Sequence, residues 1–342
     1  MMKDCKAFIT GVAGTVLGED EKAFIAEYRP WGFILFARNV ADGAQLRALI
    51  ADLRAACGHA HAPVFVDQEG GRVQRLRPPL APDYPAAAEL GALCRRDRQA
   101  GLRAAWLMAR LIALDLAKYG FNADCLPLLD IPVAGSHEVI GARAYGDNAE
   151  IVSEMGKMVA QGLQAGGLLP VMKHIPGHGR AFADTHKELA RVDTPWDVLK
   201  ATDFVPFKAL NSLPCAMTSH VIYEAVDQDK PATLSARVIE TVIRGEIGFD
   251  GLLLTDDLSM KALRGDFGEL AHGALSAGCD VVLHCNGDMA EMLAVAENVP
   301  YLEGKALVRA QKAEKCIRSA ESADETALRA EFAMLMSGNN PV

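Results

Sequence analysis

Short apolar runs alternate along this chain with longer segments in which apolar residues recur at helical spacing. The first run, 7–12, precedes a predicted helix at about 20–28 and a second run at 32–37. A helix over 43–56, capped by Asp42, leads to a strand at 63–66 that opens into the charged Gly-Gly turn DQEGGRVQRL. A proline-rich excursion occupies 78–85, and a long helix spans about 98–118. Residues 121–131 follow, and their PLLDI end has little helical character; a helix around 149–164 then precedes the run 168–172. Beyond it, predicted helices at 196–210, 235–245 and 268–277 alternate with strands at 215–219, 252–255 and 280–284, and further helices begin at about 307.

Eight strands separated by helices, with no repeat, low-complexity block or linker, predict an α/β fold of the (β/α)8 type, one catalytic domain over 1–342. A doubly wound sheet is the competing architecture. The polar residues discriminate between them. Arg38 and Asn39, Asp67, Asp130, Lys173 and His174, His220, Asp256 and Asn286 each follow an apolar run, and ligand groups at nearly every strand end imply a closed ring. A doubly wound sheet gathers them at one switch point, and no G-x-G-x-x-G turn follows the first strand to mark a dinucleotide site.

Composition narrows the function classes. The 342 residues are 50% hydrophobic and 23% charged with a net charge of −9, and no dense Lys/Arg run occurs, which argues against a nucleic-acid partner. The N-terminal apolar run is too short and too interrupted for a signal peptide or membrane span, so a cytoplasmic protein with no membrane partner is expected. Eight cysteines lie scattered singly without a C-x-x-C, as reduced buried thiols do. A small-molecule partner is expected; the sequence does not fix the oligomeric state, and a monomer is compatible with it.

Chemistry concentrates in 171–188, VMKHIPGHGRAFADTHKE, where a buried strand breaks at Pro176, Gly177 and Gly179. His174, His178 and His186 therefore sit at or beyond a strand's C-terminal end. In an extended loop Asp184 and His186 point the same way, so Asp184 can orient His186 and favour its protonated form. The segment GLLLTDDLSM delivers Asp256 and Asp257 to the barrel mouth; Asp256 is the better catalytic candidate, and Asp257 or Ser259 suits a cap for the following turn. One aspartate to attack or stabilise an anomeric carbon, and a histidine to protonate the leaving oxygen, meet the needs of glycoside cleavage, although both groups are usually carboxylates.

KHIPGHG followed by Asp184-Thr185-His186, together with GLLLTDDLS and DQEGGRVQR, resembles glycoside hydrolase family 3, and in particular its single-domain bacterial β-N-acetylglucosaminidases of peptidoglycan recycling. The similarity runs from GFILFARN at 32–39 to Asn286. It implies a retaining mechanism in which Asp256 is the nucleophile, His186 the acid and then the base, and Asp184 its partner. It also implies sugar contacts from Asp67, Arg75, Arg143, Lys173 and His174, a terminal N-acetylglucosamine of muropeptides as substrate, and neither cofactor nor metal. Three departures stand out. Arg180 and Ala181 occupy the place of an acidic G-H-G-D-type loop, NADCLPLLDI replaces an N-F-A-P-V-L-D-like run, and Ala142 stands where an acidic residue is frequent. Two-domain relatives take their acid from the second domain; this chain ends too soon for that, which favours the loop histidine.

Three rival readings compete. His174, His178, His186 and Asp184 can be drawn as a zinc site of a metal-dependent hydrolase, although i, i+4 spacing brings imidazoles together on a helix and Pro176 and Gly177 interrupt one. A phosphorylase is the second, because a neutral base does not repel a phosphate anion. A catalytically inactive sugar-binding barrel is the third.

Overall fold

Side chains of the apolar runs alternate between two faces, and both faces are buried, as they are in a parallel sheet covered by helices. The computed structural model describes residues 4–181 and 189–338. At its centre lie β1 (Lys6–Thr10), β2 (Pro30–Ile34), β3 (Val64–Phe65), β4 (Ala123–Asp124), β5 (Leu169–Ile175), β6 (Cys215–Thr218), β7 (Leu252–Asp257) and β8 (Val281–His284). All pair in parallel, in the order β3-β2-β1-β8-β7-β6-β5-β4. The two ends of that order meet: Cys125 N–H donates to the Val66 carbonyl at 3.0 Å, and Val64 N–H donates to the Asn122 side chain at 2.7 Å. The sheet is a nearly closed barrel, as the strand-end polar residues imply, and not a doubly wound sheet.

Ala7, Ile9, Ile34, Phe65, Val171, Met217, Leu252, Leu254 and Leu283 fill the barrel interior. Their sequence neighbours Phe8, Phe33, Val64, Met172, Ala216, Leu253 and Val282 pack outward against the helices. The helices are α1 (Glu19–Tyr28), α2 (Gly43–Cys57), α3 (Ala87–Arg96), α4 (Arg98–Ala117), α5 (Ala149–Ala165), α6 (Trp196–Ala201), α7 (Phe204–Ala209), α8 (Ala236–Val238), α9 (Phe267–Ala277), α10 (Met289–Glu297), α11 (Gly304–Glu314) and α12 (Glu325–Ser337). Helix α11 places Ala310 and Ala313 in the interior cluster, and its Glu314 accepts from Trp31 Nε1 at 2.8 Å, which closes the N-terminal end of the barrel. Only the C-terminal end stays open.

Several elements depart from the sequence expectation. Helix α3 has no predicted counterpart, although Leu90, Leu93 and Cys94 form a helical stripe and Glu89 caps its start by accepting from Ala86 N–H at 2.9 Å; its position just after the proline-rich run hides it. The predicted helix at 235–245 begins with a Ser235 cap but widens into a π-helix over Ile239–Glu246. The predicted strand at 121–131 shrinks to two paired residues in β4 plus an isolated bridge from Leu128 to Lys173. No helix among the described residues is long and apolar enough to cross a membrane.

Candidate active site

The turn after β3 and the end of β5 bring their charges together at the open end of the barrel. Lys173 Nζ donates to Asp67 Oδ1 at 2.8 Å and lies 2.6 Å from Glu69 Oε1. Arg75 grips the other Asp67 oxygen at 2.9 Å, and Arg143, carried by a 3₁₀ turn at Gly141–Arg143, holds both oxygens of Glu69 at 2.8 Å. The result is one chain of ion pairs, Arg75–Asp67–Lys173–Glu69–Arg143. Burial opposes the charge on each carboxylate, but the facing cations prevail. Glu69 is held down to about 2 by Arg143 and Lys173, and Asp67 is held well below the usual carboxylate range by Lys173 and Arg75. Lys173 and Arg143 are correspondingly raised against their own burial.

Two β-bulges aim the remaining groups. Between β7 and β8 the register passes from Leu254↔Val281 to Asp257↔Leu283, one residue longer on β7. An extra residue breaks the alternation of a strand and re-aims side chains, and here it separates the roles of two adjacent aspartates. Asp257 is consumed by structure: its carboxylate accepts from Ser259 N–H at 3.0 Å, Ser259 Oγ at 2.6 Å and Cys285 N–H at 3.1 Å. Asp256 lines the cavity beside it, and among the described residues its carboxylate accepts from the Asp257 N–H, at 2.8 Å. Burial raises its pKa, while His174 foremost, then His220, the Asp257 N–H and Lys173, bring it below the ordinary value, so Asp256 is held as an anion at the cavity wall. The second bulge, between Lys173 and Ile175 on β5, lets both Lys173 and His174 face the cavity.

Asp130 organises the histidines. Its Oδ2 lies 2.7 Å from His174 Nδ1, and its Oδ1 accepts from the His174 and His178 backbone N–H groups at 3.2 and 2.7 Å. Burial raises Asp130, but His174 overrides that and holds it at about 2; burial likewise holds His178 down at about 4, with His174 adding to the effect. The two rings pack edge to face with centroids 5.6 Å apart. Proximity at i, i+4 thus arises without a helix, contrary to the sequence expectation, because Asp130 draws both backbones to one point. Among the described residues no three His, Cys, Asp or Glu groups converge on a common metal position. Asp184 and His186 lie outside the described residues.

Residues 11–318 match the glycosyl hydrolase family 3 N terminal domain. The chain belongs to glycosyl hydrolase family 3. A β-hexosaminidase of Bordetella avium is 40% identical over 281 residues, covering 80% of this chain and 79% of that one. A β-hexosaminidase of Xanthomonas axonopodis pv. citri is 37% identical over 305 residues, covering 87% and 88%. The crystal structure of NagZ from Neisseria gonorrhoeae in complex with N-trifluoroacetyl-D-glucosamine superposes with a TM-score of 0.86 at 29% identity, covering 97% of this chain and 98% of that one. This is a glycosidase of the β-hexosaminidase type.

In this family 3 glycosidase the cavity measures about 480 Å³ and is lined by Asp67, Arg75, Arg143, Lys173, His174 and Asp256, the described members of the expected set. Sequence reasoning left Glu69 and Asp130 without roles, although both carried a signal: Glu69 sits in the Gly-Gly turn between assigned residues, and Asp130 ends an apolar run. The Arg180 departure is also explained. Its guanidinium donates to buried Asp203 at 2.7 Å and to Thr202 Oγ1 at 3.1 Å, so the extra cation is neutralised at the root of the loop.

Proposed function

We propose that the chain is a retaining, exo-acting β-N-acetylglucosaminidase that removes terminal N-acetylglucosamine from peptidoglycan-derived muropeptides of the GlcNAc-anhydroMurNAc type in the cytoplasm. The observation that carries this reading is the division of labour at the end of β7: Asp257 is locked in the turn while Asp256 faces a sugar-sized cavity as an anion. In the first step an Asp256 oxygen attacks the anomeric carbon, His186 gives its proton to the leaving oxygen, and a glycosyl-aspartate forms. In the second, His186 takes a proton from water, the hydroxide attacks the same carbon, and Asp256 departs as carboxylate. Asp184 keeps His186 oriented and stabilises its imidazolium. Asp67, Arg75, Arg143, Lys173 and His174 bind the sugar hydroxyls. Support for the sugar comes from the N-acetylglucosamine-type ligand in the Neisseria structure and from the hexosaminidase relatives.

A slow fluorinated substrate should add one sugar to the protein at Asp256, found by mass spectrometry of the peptide around Thr255. Asp256→Ala should lose nearly all turnover. Label on Asp257, or an inverted product, would overturn the assignment. Comparing the aryl N-acetylglucosaminide with the glucoside, galactosaminide and xyloside, with and without phosphate, fixes the sugar and separates hydrolysis from phosphorolysis.

A further inference from the structure

Behind the nucleophile lies a hydrogen-bonded circuit with no part in the reaction as written. Asp256 N–H points to Thr218 Oγ1 at 3.4 Å, Thr218 Oγ1 lies 2.8 Å from Thr233 Oγ1, and Thr233 Oγ1 lies 2.7 Å from His220 Nδ1. His220 Nε2 is 2.9 Å from the Asp257 carbonyl oxygen. Thr218, His220 and Thr233 are fully buried, so water does not complete their bonding. Thr233 is held there by the 3₁₀ turn Ala232–Leu234 beyond β6.

Counting protons leaves two patterns of donors and acceptors, and the cost of a buried charge separates them. A carbonyl only accepts, so His220 Nε2 carries a hydrogen. Each threonine hydroxyl has one. With a neutral ring, Nδ1 accepts the Thr233 hydrogen, Thr233 accepts the Thr218 hydrogen, and Thr218 accepts from Asp256 N–H. The alternative has Thr233 donating to the Ser219 carbonyl, 3.1 Å away. It then needs a hydrogen on Nδ1 as well, which makes a buried imidazolium with no carboxylate bonded to it, an expensive arrangement.

From this we propose that His220, as the neutral Nε2–H tautomer, is a positioning residue which with Thr218 and Thr233 clamps the backbone on both sides of Asp256. The inference rests on Asp256 being the nucleophile. The circuit enters at the Asp256 N–H and ends at the Asp257 C=O, so it holds the residue whose carboxylate must meet the anomeric carbon, at the bulge where strand pairing is weakest. A nucleophile displaced by about 1 Å loses on the order of 10²-fold in rate.

Labelling by the fluorinated substrate and steady-state turnover of an aryl N-acetylglucosaminide test it together, per titrated active site. Thr233→Val and His220→Gln should slow both by on the order of 10²-fold, leave inhibition by free N-acetylglucosamine unchanged, and Thr233→Ser should restore most of the rate. Nitrogen-15 NMR of the imidazole should show the neutral Nε2–H form at neutral pH. Wild-type-like rates in both variants with only a lower melting temperature, or an imidazolium or Nδ1–H signal, would overturn the clamp. Failure of the wild-type protein to be labelled on Asp256 would instead remove the nucleophile assignment on which the clamp stands.

Discussion

Asp256 and Asp257 are neighbours of one chemical type and both line the cavity, yet the Asp257 carboxylate is committed to two bonds from Ser259 and one from the Cys285 N–H, whereas the Asp256 carboxylate accepts from the Asp257 N–H. Proton transfer in the proposed mechanism falls to His186, and its contribution depends on what departs. A nitrophenolate leaves with little help, whereas a sugar alkoxide needs a proton in the transition state, where acid catalysis contributes typically about 10²–10⁴-fold. His186→Ala should therefore slow pre-steady-state release of a sugar leaving group far more than release of nitrophenolate. Asp184→Asn should show the same dependence in weaker form, because the histidine stays but loses the charge that favours its protonated state. Equal losses for both leaving groups would reassign His186 to positioning.

At the scale of elements, the loop that follows β5 is anchored by close packing. A Cβ on Gly179 would stand 1.9 Å from the Ile131 carbonyl oxygen, and the Gly177 carbonyl accepts a short bond from the buried Tyr223 hydroxyl. In the sequence these glycines mark where the strand breaks; the structure shows that Gly179 is there because nothing larger fits. Gly179→Ala should force the root of the loop away from the end of the β4 segment, with an overpacking cost of roughly 1–3 kcal/mol, visible as a lower urea midpoint. Activity should fall further than that loss of stability explains, because Asp184 and His186 follow directly in the chain. An unchanged midpoint and full activity would show that the loop root tolerates the shift.

For the whole molecule, buried groups couple stability to pH. His178 is neutral when folded, with its pKa held down at about 4 by burial and by His174, against about 6.5 for an unperturbed imidazole. Unfolding lets it take a proton, so its contribution to stability is complete above about 6.5 and is lost as pH falls towards about 4. Glu69, held at about 2 by Arg143 and Lys173, and Asp130, held at about 2 chiefly by His174, both against the cost of burial, lose theirs lower still, from about 4 downward. Denaturant midpoints should thus fall in two stages on acidification, and His178→Asn should flatten the upper one; a midpoint constant from pH ~6.5 to ~4 would contradict the His178 assignment. The reaction needs an acid, a nucleophile and sugar-binding groups, and Asp130 already holds His174 Nδ1. Activity should therefore survive exhaustive chelation, and a loss that zinc restores would favour the metal-hydrolase reading.

The order of the barrel strands and of most helices, the barrel they close into and the identity of Asp67, Lys173 and Asp256 as strand-end groups were legible in the sequence, because alternation and strand-end polarity are local properties of the chain. So was the family, through motifs in which several functional residues are contiguous. Tertiary structure alone decided which partner each charge has. Glu69 meets Lys173 from the end of β5 and Arg143 from the 3₁₀ turn at Gly141–Arg143, and Asp130 joins His174 and His178 across the barrel rim. It also supplied the cross-strand bond that helps commit Asp257, since the Cys285 N–H reaches that carboxylate from just beyond β8. Sequence fixes which groups arrive at the mouth of a barrel; their distances, and hence their charges and roles, are set by strands far apart in the chain and become defined only when the ring closes.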